Sequence, residues 1–131
     1  VTELRKILYV EDEADIREVA RISLEMIGGF EVSICASGEQ CLELAPEVKP
    51  DLIILDVMMP GMDGPDTLQL LKSIPSVANI PVVFMTAKVQ SHEMDSYRCA
   101  GVLGVIAKPF DPMTLPDRLR ELFFEPKVCS V

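Results

Sequence analysis

Three carboxylates, a hydroxyl and an ammonium stand at the ends of apolar runs in this chain. Asp56 follows Leu52-Ile53-Ile54-Leu55 at once, and Glu11-Asp12 follow Lys6 to Val10 (KILYV). Thr86 follows Ile80 to Met85 (IPVVFM), and Lys108 follows Val102 to Ala107 (VLGVIA). A carboxylate at the mouth of a buried strand is costly unless something pairs with it. Two unit charges ~4 Å apart repel by roughly 4 kcal/mol at an effective dielectric of 20. Lys108 offsets one charge of such a cluster, and a divalent cation would balance the rest. Hard oxygen ligands of this kind suit Mg²⁺ or Mn²⁺. Carboxylate, metal, hydroxyl and ammonium are the parts needed to hold a phosphoryl group in transfer. Asp56 is then a candidate nucleophile, making an acyl phosphate.

The elements that must position these groups are legible in the spacing. Leu52 to Leu55 is a short, β-branched, unbroken apolar run, which reads as a strand covered on both faces. Lys6 to Val10 reads the same way. Glu31 to Cys35 (EVSIC) alternates polar and apolar, as an edge strand would. Ile80 to Met85 and Val102 to Ala107 complete five strands. A helix begins at Ala14 with Ile16, Val19, Ala20, Ser23 and Ile27 on one stripe, and Gly28-Gly29 stops it. A second opens at Ser37 or Gly38, runs through Leu42, Leu44 and Ala45, and ends at Pro46. Pro65 fits the first turn of a third, with Leu68, Leu71 and Ile74 facing inward and Pro75 ending it. A fourth spans Ser91 to Ala100. A fifth, over Leu115 to Phe124, follows the capping box Thr114-x-x-Asp117. Between Asp56 and the third helix, Pro60-Gly61 suits the middle of a type II turn.

Strands alternating with helices predict an α/β domain with a parallel sheet. The doubly buried runs belong at the centre and the alternating one at an edge. The expected order is 2-1-3-4-5, a flavodoxin-like doubly wound five-stranded parallel sheet with five helices. Ligands in such sheets bind outside the carboxyl ends of the strands, where strand order reverses. That point lies between the first and third strands, where Glu11, Asp12 and Asp56 converge.

The 131 residues predict one domain, with a core over about 4–124 and a frayed tail over 125–131. A net charge of −9, from 12 basic and 21 acidic residues, argues against direct binding to nucleic acid or an anionic membrane. No apolar run approaches the ~20 residues of a membrane span, and there is no signal-peptide pattern, so the expected location is cytoplasmic. Cys35, Cys41, Cys99 and Cys129 lack CxxC spacing and read as free thiols.

The motifs ILYVEDE, LIILDVMMPGMDG, VVFMTA and the terminal KPF resemble the receiver domain of two-component response regulators, over about Leu4 to Phe124. The resemblance implies that Asp56 accepts a phosphoryl group from the phosphohistidine of a sensor histidine kinase or a histidine phosphotransfer protein. It implies Mg²⁺ held by Asp12, Asp56 and the backbone carbonyl of Met58, with Glu11 acting through water. It assigns the phosphoryl oxygens to Thr86, Lys108 and the backbone N–H of Ala87, and expects a cis Lys108-Pro109 peptide. It places the output face on the fourth helix, last strand and last helix, toward an unnamed downstream effector or a phosphorylation-dependent dimer.

One position departs from the family pattern. Where the family usually carries Tyr or Phe three residues before the lysine, this chain has Val105. Tyr97 is an alternative reporter, but nothing in the sequence requires that role, and an ordinary half-buried tyrosine is the better reading. His92 sits in a polar run, which favours a solvated side chain over a phosphoryl relay. In the family, the residues two past the acceptor and two past the threonine influence phosphoryl lifetime; here they are Met58 and Lys88.

Three other functions compete. A phosphorylation-independent docking module is one. An aspartyl-phosphate phosphatase of this fold would need a second catalytic Asp two residues after Asp56, where Met58 stands. A flavin protein would need a hydroxyl- and glycine-rich loop after the first strand, where Glu11-Asp12-Glu13 would repel phosphate.

Overall fold

A computed structural model of the chain describes residues 3–87 and 101–124. The helix expected over Ser91 to Ala100, with His92, Tyr97 and Cys99, lies outside the described residues, as do Lys88 and the tail with Cys129.

Five strands form one parallel sheet: β1 (Lys6–Val10), β2 (Glu31–Cys35), β3 (Leu52–Asp56), β4 (Val82–Thr86) and β5 (Gly104–Ala107), in the order β2-β1-β3-β4-β5. The strand order matches the one expected from sequence. Strand β3 is buried at every position, as its unbroken apolar run requires. Strand β2, at the edge, keeps Ile34 partly exposed. Strand β4 begins at Val82 rather than Ile80. Pro81 supplies only a carbonyl, which accepts from the Ile53 N–H at 3.0 Å. Strand β5 is likewise shorter than expected, beginning at Gly104.

Helices cover both faces. One half-core packs Leu8, Val10, Ile53, Leu55, Phe84 and Val105 under α2 (Gly38–Val48) and α3 (Gly64–Lys72). The other packs Ile7, Tyr9, Ile54, Val83, Met85 and Ile106 under α1 (Ala14–Ile22) and the C-terminal helix (Leu115–Phe124). The period of two along each strand divides these residues between the faces. It also places Glu11, Asp56 and Lys108 in phase with the α1 side, and Thr86 in phase with the α3 side.

Three expectations need correction. Helix α1 passes into a π-helical segment over Ser23–Ile27, closed by the Gly28 N–H on the Ser23 carbonyl at 3.1 Å. Past Ala20 and Ser23 the wider turn leaves Leu24 fully buried and Ile27 46% exposed; Val19, on the regular helix before it, is also 46% exposed at the edge of the stripe. Helix α2 runs through Pro46 and ends at Lys49, whose φ of 52° is left-handed. Burial of Cys41 and Ala45 on the sheet outweighs the one helical hydrogen bond that Pro46 removes. At the C-terminal helix, Thr114 Oγ1 turns back to donate to the Asp111 carbonyl at 3.4 Å. Helix α3 opens more conventionally: the Asp63 side chain accepts from the Asp66 N–H at 2.9 Å, with Pro65 in the first turn.

Among the described residues, no helix is long and apolar enough to cross a membrane.

Candidate metal and phosphoryl site

The register brings the acids together. Val10 pairs with Leu55, so the next residues, Glu11 and Asp56, face each other across the ends of β1 and β3. The chain leaves the sheet there. Gly61, at φ 76°, has the left-handed conformation that a type II turn requires. Gly64 then lies so close to the end of β3 that an added Cβ would sit 2.7 Å from the Asp56 carbonyl oxygen.

Carboxylate oxygens of Glu11, Asp12 and Asp56 all lie within 4.8 Å of one another. Glu11 is fully buried and Asp56 is 2% exposed, while Asp12 is partly open to solvent. Lys108 Nζ donates to Glu11 Oε1 at 3.0 Å and to Asp56 Oδ2 at 3.1 Å. The peptide that follows, Lys108-Pro109, is cis, as the resemblance implied. Asp56 Oδ1 accepts from the Met58 N–H at 3.3 Å. Thr86 is buried at the end of β4, in register with Ala107, the residue before the lysine. Ala87 beside it is exposed.

The crowding of charge in this pocket acts on Glu11 and Lys108. Burial, then the hydrogen-bonded Asp56 carboxyl, lifts Glu11 from the ordinary 4.5 to about 7, against the opposing pull of Lys108. Burial disfavours the Lys108 ammonium, but hydrogen bonds to Glu11 and Asp56 more than reverse this and raise its pKa. Three clustered acids, two of them on one ammonium and all presenting hard oxygens, fit a divalent cation.

Two residues joined to the site were not singled out in the sequence. Tyr9 is fully buried in β1, and its hydroxyl donates to Glu11 Oε1 at 3.4 Å with Met85 Sδ 3.5 Å away. Burial, then the negative charges of Glu11 and Asp56, push its phenol pKa up. Arg17 Nη1, from α1, donates to the Glu11 carbonyl at 2.8 Å. The polar tip of Tyr9 two residues before a site acid was the available signal for the first. A salt-bridge reading of Arg17 could not have found a contact to backbone. Cys35 and Cys41 are buried and free, their thiols pushed up to about 12 chiefly by burial. Val105 is buried in the half-core on the α3 side.

Comparison with known proteins shows the family. The family model "Response regulator receiver domain" matches residues 7–120. The chain is 37% identical over 102 residues to a probable transcriptional regulator, ycf29, of Porphyra purpurea, covering 78% of this chain and 49% of the relative. It is 34% identical over 116 residues to the DNA-binding response regulator MtrA of Mycobacterium tuberculosis, covering 88% of this chain and 49% of that protein. The chain thus spans about half the length of these curated relatives. Among solved structures, the chemotaxis response regulator CheY4 of Vibrio cholerae superposes with a TM-score of 0.83 at 28% identity, covering 92% of this chain and 99% of that one. The N-terminal domain of a response regulator receiver protein from Methanoculleus marisnigri gives a TM-score of 0.73 at 34% identity, covering 91% and 96% of the two chains. With the strand order, the acid cluster and the shared lysine alongside these matches, the chain belongs to the response regulator receiver domain family of two-component signalling.

Proposed function

We propose that Asp56 is the phosphoacceptor of a signalling switch, charged by the phosphohistidine of a sensor histidine kinase or a histidine phosphotransfer protein in the cytoplasm. A carboxylate oxygen of Asp56 attacks phosphorus. The P–O bond forms as the P–N bond breaks, and the imidazole nitrogen leaves with the bonding pair. Asp12, Asp56 and the Met58 carbonyl would hold Mg²⁺, or Mn²⁺ in its place, with Glu11 acting through water. The cation supplies charge neutralisation at the phosphoryl oxygens. Lys108, the Thr86 hydroxyl and the Ala87 N–H hold those oxygens once Asp56 carries the group. The chain acts as a switch rather than a turnover enzyme, and Met58 stands where a phosphatase of this fold would need its second acid.

The observation that carries this reading is the sharing of Lys108 between Glu11 and Asp56 inside a three-carboxylate cluster. Phosphorylation brings about −1.5 to −2 charges to that lysine and draws it from Glu11. An apolar depression of about 220 Å³ beside Lys108, lined by Ile16, Val19, Pro109 and Phe110, gives a protein phosphodonor a place to seat. The output is a change of partner affinity at the surface around β5 and the C-terminal helix, with Val105 in the place of an aromatic switch. The effector is a protein rather than nucleic acid contacted by this acidic chain, and a phosphorylation-dependent dimer is one form such a complex can take.

The test is labelling by acetyl phosphate, read by intact mass. The parent chain gains one phosphoryl group only with Mg²⁺ present, and Asp56→Ala gains none. Equal uptake by Asp56→Ala would overturn the assignment.

A further inference from the structure

Glu11 is held on every side. Its Oε1 accepts from Lys108 Nζ at 3.0 Å and from the Tyr9 hydroxyl at 3.4 Å, and its Oε2 accepts from the Glu13 N–H at 3.3 Å. Its carbonyl accepts from Arg17 at 2.8 Å, and its N–H donates to the Cys35 carbonyl at 3.1 Å. Among the donors of the described residues named here, Lys108 is the one that also reaches Asp56. If the function proposed above holds, Lys108 turns to the phosphoryl group and leaves Glu11 Oε1 with one side-chain donor among the contacts described, the Tyr9 hydroxyl.

Tyr9 is suited to that task by its place in β1. The strand period puts it on the same sheet face as Glu11, one pleat below. It is fully buried, so its hydroxyl must find an acceptor within the protein. Its two neighbours are a carboxylate and a thioether, and the carboxylate is much the stronger acceptor. The ring is fixed by the packing of Ile54, Val83, Met85 and Leu119 in the same half-core. A rigid ring with one polar atom under the acid cluster fixes where the Glu11 carboxylate points.

We infer that Tyr9 is a positioning residue of the cation site: its hydroxyl keeps the Glu11 carboxylate turned toward Asp12 and Asp56, both while Lys108 shares Glu11 Oε1 and after Lys108 moves to the phosphoryl group. This inference rests on the proposed function, because it needs the acids to hold a cation.

Tyr9→Phe keeps the ring and removes the hydroxyl. Mg²⁺ binding is measured by isothermal titration calorimetry. Partners that orient a direct metal ligand typically contribute 10–100-fold in affinity; Glu11 acts through water, so the dissociation constant of Tyr9→Phe is expected to rise by less, about fivefold. In acetyl phosphate labelling, the loss falls on the Mg²⁺ concentration needed for half-maximal rate and not on the rate at saturating Mg²⁺. Ile54→Val, which trims the residue paired with Tyr9 across the sheet, controls for packing: it lowers the melting temperature and leaves the dissociation constant unchanged. A Tyr9→Phe constant within twofold of the parent overturns the inference, as does an equal loss in Ile54→Val. Those failures leave the function standing if the parent still binds Mg²⁺ and Asp56→Ala still resists labelling. A parent that binds no Mg²⁺ overturns both.

Discussion

The Lys108 ammonium lies 3.1 Å from Asp56 Oδ2, with 13% of the lysine side chain and 2% of the aspartate exposed. The same nitrogen serves Glu11, so one cation compensates two buried carboxyls. Removing one partner of a buried ion pair leaves an uncompensated charge and costs several kcal/mol. Lys108→Met is therefore expected to lose about 3 kcal/mol of stability in urea titrations with EDTA at pH 8. Added Mg²⁺ recovers part of the loss, because the ion binds only the folded cluster. A variant as stable as the parent would show that the acids do not depend on this lysine.

The raised pKa of Glu11 makes stability depend on pH. An acid whose pKa is higher folded than unfolded keeps its proton longer in the native state. Its stabilising contribution is full below the ordinary 4.5 and is lost as pH climbs through about 7. Each tenfold change in proton affinity between the folded and unfolded chain is worth about 1.4 kcal/mol, so the parent in EDTA is expected to lose up to about 3 kcal/mol between pH 5 and pH 8. Glu11→Gln, which cannot titrate, flattens that slope. A series of urea titrations across this range measures both, and a parent curve as flat as the variant's would contradict the expectation.

The loop after β3 has no room for a side chain at one glycine and ample room at another. A Cβ at Gly64 would meet the Asp56 carbonyl oxygen at 2.7 Å and Val57 Cα at 2.9 Å, both of them backbone. At Gly61 a Cβ would meet nothing within 4 Å, and only the φ of 76° opposes it. Gly61→Ala is expected to cost about 1 kcal/mol. Gly64→Ala must push the strand end aside, and overpacking of this kind costs about 2–3 kcal/mol. It also displaces Asp56, so Mg²⁺ binding by calorimetry weakens in Gly64→Ala and stays close to the parent in Gly61→Ala.

The strand order and the acid cluster were legible because both follow from local pattern. A strand with no polar position, such as Leu52 to Leu55, can only lie inside the sheet, and an acid directly after it can only lie at the rim. What the sequence hid came from competition between elements. Pro46 reads as a helix stop, yet burial of Cys41 and Ala45 carries α2 past it. Ile27 fits a regular helical stripe with Ala20, yet the π-segment turns it toward solvent while Leu24 stays buried. Tyr9 reads as one more apolar strand residue, and its contact with Glu11, two residues on along the same strand, is imposed by the full burial of its hydroxyl once helices cover that face.

Met58 connects the same geometry to the lifetime of the phosphoryl group. Its N–H is fixed on Asp56 Oδ1 at 3.3 Å, so its side chain begins beside the acceptor, and that side chain is 58% exposed. Hydrolysis of an acyl phosphate needs a water placed in line with the P–O bond. A thioether chain at this position excludes water and offers it only a weak acceptor. Asn is shorter by one bond and carries a carboxamide that can accept from a water and orient it. Met58→Asn is therefore expected to speed loss of phosphate, and lowering the barrier by about 1 kcal/mol would give about a fivefold faster decay. The half-life of phosphorylated chain, followed by intact mass after removal of acetyl phosphate, measures this directly. Met58→Leu, which restores bulk without a polar atom, is expected to decay at the parent rate. If Met58→Asn and Met58→Leu decay alike, the side chain does not control access of water to the site.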